Sequence, residues 1–462
     1  MPLDKNYTLM PHQVALKAWL IEQMTGETNF SDTCYYAFVC HLMRHGKTLA
    51  VCEMLKEYIL EWTHVDNNNK FELRVLCPAR VIHVWEEHAD AVFDQEFYAK
   101  ANIKFISHDN IENDADKVHK DIIIIDEIHQ FRSVQKESQR FALLDSYSKE
   151  CYHRIGMTGT PYDQFMAELF RPLQWMSHGS FFGEGITKQD FETTYCEAIN
   201  PRSKYPSFEI KPHLKKEIWE ELMKISHVYK SDDIVLPKLS TIKYDLYPKQ
   251  LRLIRRIKGK KIIPEIADIQ SKFSVPVRNG KMRQLYGGFI YHTRNQEVLN
   301  MCATRKWLVL TQLLERLEFN KVMVFYQYLE EVNRILDALN PYAEYGIRWA
   351  ELTDKTLERF NNDELDILIG HPKSCGVGID ISAANYAIFV SHTASFIDSY
   401  QAFFRLSKKG EDMADKEIFH LLANHRLAKD DHAKMWKKKK LTDEFYEKGL
   451  AVYEGRQVSA GD

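Results

Sequence analysis

Several short segments of this sequence are apolar and β-branched without polar alternation. The clearest is the run of four isoleucines at residues 122–125. A strand with one face in water alternates between apolar and polar residues, whereas a strand covered on both faces is continuously apolar. A buried helix segment is the alternative, but a short and wholly β-branched run favours a strand. These segments therefore predict a parallel sheet covered by helices on both faces.

Such segments occur in two series along the 462 residues. The first comprises residues 35–40, 74–79 and 121–127, and the second comprises residues 321–326, 365–370 and 386–391. The predicted fold class is therefore α/β, with two parallel-sheet lobes in tandem and a mixed, partly helical insertion between them. We expect the first lobe over residues 1–220, the insertion over 221–300, the second lobe over 301–440 and a C-terminal tail over 441–462.

A Gly-Lys-Thr sequence at residues 46–48 lies between the first predicted strand and a helical pattern. This order is typical of a phosphate-binding loop, in which backbone N–H groups contact the anion, the lysine reaches the β- and γ-phosphates and the threonine binds magnesium. The usual loop has glycine five places before Gly46, but His41 stands there. A helix cap or a chance match is the alternative for these three residues taken alone.

Two carboxylates, Asp126 and Glu127, follow the isoleucine run directly. Ligands of parallel α/β sheets bind at the carboxyl ends of the strands, so both side chains are expected at that edge. We predict that Asp126 binds magnesium together with Thr48, and that Glu127 orients or activates the attacking water. With the loop, this pair predicts a site that hydrolyses ATP with Mg²⁺ as cofactor.

An ordered series of motifs accompanies these residues. It comprises LMPHQ at 9–13, VLCPARVIHVWEEH at 75–88, DEIH at 126–129, MTGTPYD at 157–163, KVMVFYQYLEEVNRI at 321–335 and the stretch 374–410. As a series these motifs resemble superfamily 2 helicases and translocases, most closely the Swi/Snf-type branch, over nearly the whole chain. The resemblance implies two RecA-like lobes that hold one nucleotide between them. The Swi/Snf-type branch usually carries Asp-Glu-Met-Gly-Leu before Gly-Lys-Thr. The loop MRHGKT at 43–48 instead resembles the Met-Arg-x-Gly-Lys-Thr loops of phage-encoded relatives.

The resemblance implies nucleotide contacts from both lobes. Gln13 is expected to pair with the adenine edge, and Arg405 is expected to act as an arginine finger, with Gln401 as a further catalytic residue. The remaining implied ATP contacts are Arg44, His45, Gly46, Lys47, Thr48, Gly378, Asp380 and Lys408. Lys408 stands where the family has a second arginine, and it keeps the charge but loses the planar fork. Lys408 therefore either assists Arg405 weakly or is solvated. Arg44 either contacts phosphate or a carboxylate of the other lobe, or it is solvated.

Nucleic-acid contacts are implied at positions where the family meets the sugar-phosphate backbone. These positions are Arg80, Ser107, His108, Thr158, Gly159, Lys373 and Ser374. Hydroxyl groups and backbone N–H groups suit phosphate contacts that carry no sequence information, although a turn or helix cap is the alternative for each hydroxyl. A basic cluster that includes Arg255 and Arg256 can steer a duplex, with a solvated basic helix as its alternative.

Composition excludes several other classes of protein. The formal net charge of -3 argues against a histone-like basic coat, but a motor can confine its basic groups to one cleft. No stretch approaches the roughly 20 apolar residues of a membrane span, and the start lacks the pattern of a secretory signal. The eight cysteines form no Cys-x-x-Cys pair, and the histidines lack metal-ligand spacing. We expect a reducing, cytosol-like compartment, which is the host cytoplasm or nucleoid for a viral protein.

These observations predict an ATP-dependent nucleic-acid motor, and the resemblance to the Swi/Snf-type branch implies translocation on a duplex, with DNA as the expected partner. Its substrates are expected to be forks, branched junctions or protein–DNA complexes. A strand-separating helicase on DNA or RNA is the first alternative, and no wedge is identified in the sequence. A non-hydrolysing, ATP-gated binding protein is the second, supported by the altered loop and Lys408. No targeting module is visible, so targeting is expected to come from a partner protein or from DNA shape.

Overall fold

The structure is a computed structural model of the chain. It describes residues 7–25, 35–62, 70–114, 119–132, 139–163, 165–199, 201, 206–231, 236–261, 263, 266, 273–292, 297–375, 379–392, 396–407 and 415–459. The chain forms two compact units, one of Met1–Ser231 with Lys440–Asp462 and the other of Asp232–Lys439. Compactness alone does not show that a unit folds independently. The predicted domain limits therefore stay a prediction.

The first unit is built on a six-stranded parallel sheet in the order β3-β2-β4-β5-β1-β8. Its strands are β1 (Tyr35–His41), β2 (Phe71–Cys77), β3 (Ala101–Ser107), β4 (Ile122–Asp126), β5 (His153–Met157) and β8 (Ser226–Tyr229). A separate antiparallel hairpin is formed by β6 (Cys196–Ala198) and β7 (Phe208–Ile210). All five residues of β4 are buried, which confirms that the isoleucine run is a strand covered on both faces.

Helices cover this sheet because their apolar residues recur at helical spacing. They are α1 (Pro11–Thr25), α2 (Lys47–Glu57), α3 (Ile82–Val92), α4 (Gln95–Lys100), α5 (Gln139–Tyr147), α6 (Phe170–Met176), α7 (Lys188–Tyr195) and α8 (Lys215–Lys224). In α2 the buried face includes Val51, Met54 and Leu55, none of which is exposed. The helix therefore begins at the phosphate-loop sequence and is held against the sheet along one side.

The second unit repeats the plan with the strand order β13-β14-β12-β15-β16-β9, again parallel throughout. The strands are β9 (Lys238–Tyr244), β12 (Val322–Phe325), β13 (Trp349–Glu351), β14 (Ile367–Gly370), β15 (Tyr386–Phe389) and β16 (Glu417–Ala423), with β10 (Phe289–Tyr291) and β11 (Val298–Asn300) in an antiparallel hairpin. The helices are α9 (Pro248–Lys258), α10 (Val275–Tyr286), α11 (Lys306–Arg316), α12 (Leu329–Leu339), α13 (Asp354–Asn361), α14 (Pro372–Cys375), α15 (Phe396–Leu406) and α16 (Arg426–Ser459). Two parallel α/β lobes with a mixed, partly helical insertion are therefore confirmed.

The two ends of the insertion join different sheets. Strand β8 lies at one edge of the first sheet, and β9 lies at one edge of the second. The segment predicted as a tail continues α16 as far as Ser459, and its residues Phe445 and Tyr446 are buried in the first unit. Within the described part of the chain, the helices lack the combination of length and apolar character that crossing a membrane requires.

A fully buried ion pair lies at the carboxyl edge of the second sheet. Lys306 at the start of α11 is 0% exposed, and Glu331 in α12 is 1% exposed. Lys306 Nζ donates to Glu331 and to Ser391 Oγ, and Ser391 Oγ donates to Glu331 Oε1 at 2.7 Å. Breaking such a pair leaves an uncompensated buried charge. The pair therefore fixes the starts of two helices and the segment after β15.

Replacing Lys306 alone by methionine is expected to destabilise the second unit by about 3–5 kcal/mol, because Glu331 is left buried without its cation. The double substitution Lys306→Met with Glu331→Gln removes both charges and is expected to cost clearly less than the sum of the single changes. Amide hydrogen exchange of β12 measures the free energy of opening. Lys355→Met, at an exposed position of α13, is the control, and strictly additive costs would show that the pair contributes nothing.

Candidate active site

The loop between β1 and α2 contains the predicted phosphate-binding residues. Gly46 precedes α2 with φ 63° and ψ 36°, a left-handed conformation that favours glycine. An added Cβ there would lie 2.1 Å from Gln13 Nε2. Gln13 Nε2 donates to the Gly46 carbonyl at 3.0 Å, and Gln13 Oε1 accepts from Met10 N at 2.8 Å. Gln13 thus ties α1 to the loop, and its predicted adenine contact stays a prediction.

Two residues that depart from the usual loop sequence are His41 and Arg44. His41 is fully buried, and its Nε2 lies 2.8 Å from Nδ1 of His227 on β8. Its ring is therefore directed along the sheet. Arg44 has φ 64°, the left-handed conformation, at the position where the Swi/Snf-type branch has glycine. The loop keeps a glycine-like backbone at this position despite the side chain, at a cost of about 1 kcal/mol.

Lys47 is the first residue of α2 and is half-buried. Its Nζ donates to the His41 carbonyl at 2.8 Å, so the ammonium group lies over the start of the loop. A phosphate bound in the cradle would offer this cation a charged acceptor in place of a neutral carbonyl. Phosphate binding by Lys47 stays a prediction.

Asp126 ends β4 and is 8% exposed. One carboxylate oxygen accepts from Trp85 Nε1 at 3.2 Å, and the other accepts from the backbone N–H of Glu127 at 3.0 Å. Burial and the neighbouring Glu127 charge raise the pKa of Asp126 to about 6, although the Lys47 charge opposes this shift. Burial and the adjacent carboxylate therefore favour a cation beside Asp126.

Glu127 follows with φ 53° and ψ 46°, a left-handed conformation that is rare for a residue with a side chain. Strain of this kind costs about 1–3 kcal/mol and clusters at functional sites. Glu127 Oε2 lies 3.2 Å from His129 Nδ1 and 3.4 Å from Thr158 Oγ1. The turn therefore brings the DEIH sequence and the MTGTPYD sequence to one carboxylate.

The hydroxyl of Thr158 is at the centre of this group. It lies 2.9 Å from His129 Nδ1 and accepts from the backbone N–H of Thr160 at 3.0 Å. A hydroxyl can accept two hydrogen bonds and donate one, so the arrangement is complete when Thr158 donates to Glu127. Thr158 is fully buried, and a contact with nucleic acid would require it to be uncovered.

The carboxylate pair fits a magnesium ion. Burial and the neighbouring Glu127 charge raise the pKa of Asp126, and a divalent cation beside the carboxylate would offset both effects. Thr48 lies next to Lys47 at the start of α2. Magnesium typically takes one or two protein oxygens and completes its shell with phosphate and water. Within the described residues, no group of three or more His, Cys, Asp or Glu side chains is placed to hold a metal ion. Thr48 and Asp126 remain the predicted protein ligands.

Residues of the second unit occupy the segments around β14 and β15. Gln401 and Arg405 lie one helical turn apart in α15, with Gln401 buried and Arg405 half-buried. Asp380 is exposed, and its Oδ1 accepts from the backbone N–H of Ser382 at 3.0 Å. Gly378 and Lys408 lie outside the described residues. The nucleotide contacts predicted for this unit stay predictions.

The predicted nucleic-acid contacts differ in exposure. Those at the surface are Arg80, Lys373, Arg255 and Arg256. Those buried are Ser107, His108, Thr158 and Gly159, and Ser374 is half-buried. His108 Nδ1 lies 3.2 Å from Gln130 Oε1, and a Cβ on Gly159 would lie 3.3 Å from Met43 N. The buried residues therefore border the active site in this conformation, and their nucleic-acid role stays a prediction.

Sequence reasoning missed several residues of the site. Trp85, His129 and Thr160 contact the carboxylates or Thr158, and His12 Nε2 lies 3.0 Å from the His45 carbonyl. Trp85 was singled out only as part of a motif, and the DEIH sequence was the only signal for His129. Contacts between residues so far apart in sequence follow from strand order, which the sequence does not display.

No protein-family model matches the chain. Among curated proteins, it is 22% identical over 351 residues to Protein CHROMATIN REMODELING 4 of Arabidopsis thaliana, covering 71% of this chain and 15% of that protein. It is 22% identical over 386 residues to putative protein p41 of Acyrthosiphon pisum secondary endosymbiont phage 1, covering 80% of this chain and 79% of that protein. It is 21% identical over 218 residues to Switch 2 of Arabidopsis thaliana, covering 40% of this chain and 25% of that protein. The chain thus spans a small part of the two plant proteins and most of the phage protein.

Two solved structures are similar in fold. One is the Sulfolobus solfataricus SWI2/SNF2 ATPase core in complex with dsDNA, with 16% identity, a TM-score of 0.41 and coverage of 96% of this chain and 97% of that chain. The other is the Sulfolobus solfataricus SWI2/SNF2 ATPase core domain, with 15% identity, a TM-score of 0.39 and coverage of 96% and 91%. The curated relatives confirm the predicted resemblance to the Swi/Snf-type branch and to phage-encoded members.

Asp126→Asn is expected to stabilise the protein at pH 8 when magnesium and nucleotide are absent. The pKa of Asp126 rises from 3.8 to about 6 in the fold. A carboxyl group of this kind favours the fold while protonated, below its unfolded pKa, and loses that contribution as pH rises through about 6. Ionised Asp126 therefore costs on the order of 2–3 kcal/mol at pH 8, and asparagine avoids this cost.

Thermal unfolding at pH 8 and pH 4 checks this expectation. The stabilisation by Asp126→Asn should amount to a few degrees at pH 8 and should vanish at pH 4, where the wild-type carboxyl is protonated in the fold. Asp90→Asn, at an exposed position of α3, is the matched control. Equal effects of Asp126→Asn at both pH values would contradict the proposed cause.

Proposed function

We propose that this chain is an ATP-dependent nucleic-acid motor that translocates on or remodels double-stranded DNA. One observation carries the proposal most strongly. The strained Glu127 carboxylate lies against His129 and Thr158, at the edge of the sheet that bears the Lys47 loop. A left-handed backbone at Glu127 and a buried carboxylate at Asp126 are costly to a resting fold. They are useful to a site that binds a phosphate–metal complex.

The residues of the first unit have separate tasks in ATP hydrolysis. Lys47 exchanges the His41 carbonyl for the β- and γ-phosphates, and the N–H groups at the start of α2 bind the remaining phosphate oxygens. Thr48 and Asp126 would hold a magnesium ion, which would neutralise charge on the phosphates. Glu127 orients the attacking water, and the contacts from His129 and Thr158 fix the direction of its carboxylate. Trp85 holds Asp126 in place by donating to its other face.

The second unit is expected to supply side chains that contact the γ-phosphate. Through these contacts, hydrolysis is expected to cause movement. Arg405 neutralises charge on the γ-phosphate, a role worth about 10³–10⁵ in rate in other nucleotide hydrolases. Gln401, one turn earlier in α15, is expected to contact the same group. A ligand that binds one arrangement of the units more tightly than another shifts the protein between them. Loss of the γ-phosphate would then release the arrangement that ATP had favoured.

Duplex DNA is the proposed substrate for two reasons. They are the named activity of one relative and the basic surface of helix α9. Chromatin remodelling is the named activity of one relative. Helix α9 buries Leu253, Ile254 and Ile257 and exposes Arg255 and Arg256, so its apolar face anchors the helix and its basic face meets solvent. Such a face suits backbone phosphates without sequence preference.

Two other functions remain as alternatives. A strand-separating helicase on DNA or RNA would share the ATP site, and it differs in whether duplex or single strands stimulate hydrolysis. A non-hydrolysing, ATP-gated binding protein would account for the altered loop and for Lys408. The contacts around Glu127 favour hydrolysis, because a protein that only binds ATP has no use for a strained and oriented carboxylate.

Phosphate release with a panel of duplex, forked, branched, single-stranded and RNA cofactors tests the proposal. Duplex or branched DNA is expected to stimulate hydrolysis most. Lys47→Ala is expected to abolish nucleotide binding, whereas Glu127→Gln is expected to keep binding and to lower kcat by at least about 10²-fold. Glu96→Gln, at a position 68% exposed, is the control. Greatest stimulation by single strands would favour the helicase, and no phosphate release by the wild type would favour the binding protein.

Thr158→Val is expected to lower basal kcat by about tenfold or more with little change in KM, because Glu127 loses an orienting contact. Thr158→Ser keeps the hydroxyl and is expected to retain most of the rate. Basal hydrolysis without nucleic acid, followed by DNA affinity, separates this role from the predicted nucleic-acid contact. Normal basal hydrolysis with weakened DNA binding in Thr158→Val would assign the residue to the DNA instead.

A further inference from the structure

His45, in the phosphate loop, contacts the last residue of the first unit. Its ring is 4% exposed, and its Nε2 accepts from the backbone N–H of Ser231 at 3.1 Å. The chain passes into the second unit directly after Ser231. We propose that His45 is a positioning residue that couples occupancy of the phosphate loop to this connecting peptide. The inference rests on the proposed function, since it takes the loop to be an ATP site.

The two nitrogens of the His45 ring make different contacts. Nδ1 lies 3.0 Å from the Leu42 carbonyl and 2.8 Å from the Met43 carbonyl, so it donates to the turn of the loop itself. Nε2 has no hydrogen to give in that tautomer and accepts from Ser231. Burial lowers the pKa of His45 to about 4, which keeps the ring neutral at pH 7. One side chain thus braces the loop with one atom and holds the connecting peptide with the other.

Further contacts make the loop and the end of β8 one packed group. The backbone N–H of Leu42 donates to the Tyr229 carbonyl at 3.0 Å. The ring of Tyr229 stacks on His12 at 4.2 Å between centroids, and His12 lies against the His45 carbonyl. A displacement of residues 42–46 must therefore be shared with residues 229–231. The hydrogen bond from Ser231 places the start of the connecting peptide at the end of this group.

Nucleotide binding is expected to displace the loop because it changes the contacts at its start and end. Lys47 gives up the His41 carbonyl for phosphate, and the N–H groups next to Gly46 turn to the anion. His45 lies between these two points, so its ring shifts with the loop backbone. The position of the Ser231 N–H then depends on whether the loop is occupied. This coupling from the phosphate loop to Ser231 requires no movement of the sheet. It begins at His45, which directly precedes Gly46.

The coupling is particular to this loop sequence. The Swi/Snf-type branch that the chain resembles has leucine at the place of His45, and leucine can neither donate to the loop carbonyls nor accept from Ser231. A purely local brace is the simpler explanation of His45, and it would use Nδ1 alone. The contact at Nε2 distinguishes the two explanations, because it joins His45 to Ser231, 186 residues later in the sequence.

Two substitutions separate the two nitrogens. His45→Asn places an amide N–H near the Nδ1 position and leaves Ser231 without its acceptor. His45→Gln places an amide oxygen near the Nε2 position and leaves the carbonyls of Leu42 and Met43 without their donor. His213→Asn, in an exposed turn before α8, is the matched control. Three measurements are made on each full-length variant: affinity for a non-hydrolysable ATP analogue, phosphate release with and without duplex DNA, and amide exchange of the peptide spanning residues 229–237.

In the wild type the analogue is expected to change the exchange rate of this peptide. His45→Asn should exchange about fivefold or more faster at Ser231, and it should lose both the exchange response, measured at saturating analogue, and most of the DNA stimulation. His45→Gln should keep the exchange response at saturating analogue, whatever its affinity for the analogue. An unchanged exchange response in His45→Asn, or loss of the response in both variants, overturns the inference.

The proposed function is judged on the wild type alone. A wild type that hydrolyses ATP with DNA stimulation, together with a His45→Asn variant that matches it in exchange and stimulation, refutes the coupling and leaves the motor intact. A wild type that releases no phosphate under any condition refutes the motor and the coupling with it. Thermal unfolding of each variant identifies a general loss of fold, and His45→Gln then decides the question if His45→Asn is unstable.

Discussion

The active site depends on two adjacent carboxylates that the fold holds away from water. Asp126 and Glu127 are each 8% exposed, and burial together with the neighbouring Glu127 charge raises the pKa of Asp126. The sheet forces this arrangement, because β4 is buried on both faces and ends at Asp126. Glu127 then continues the chain in a left-handed conformation. Burial and the repulsion between the two carboxylates favour a bound cation, and backbone strain of this kind clusters at functional sites.

The loop beside these carboxylates shows how a phosphate cradle persists without its usual glycines. Backbone conformation is what an anion contacts, and side chains matter only where they enter the cradle. His41 avoids it by pairing with His227 inside the sheet, and Arg44 adopts the glycine-like φ of 64°. His45 braces the turn with its own ring. Three substitutions that look disruptive in the sequence are therefore compatible with one loop.

The two units use buried charge in opposite ways. At the carboxyl edge of the second sheet, Lys306 and Glu331 neutralise each other and hold the starts of two helices. At the same edge of the first sheet, Asp126 and Glu127 lie side by side, and Glu127 also contacts His129 and Thr158. Two neighbouring buried carboxylates favour a cationic ligand.

The sequence by itself determined the strands that are buried on both faces, the Gly-Lys-Thr loop and its helix, and the carboxylates after the isoleucine run. These are local patterns, and covering both faces of a strand forces a continuous apolar run. Only the tertiary structure decided that β5 lies between β4 and β1, which brings Thr158 to Glu127 and Gly159 to Met43. It also decided that β8 pairs with β1, which brings His227 to His41 and Ser231 to His45. Strand order joins residues separated by long stretches of chain, and the pairing of parallel strands leaves no local mark on the sequence.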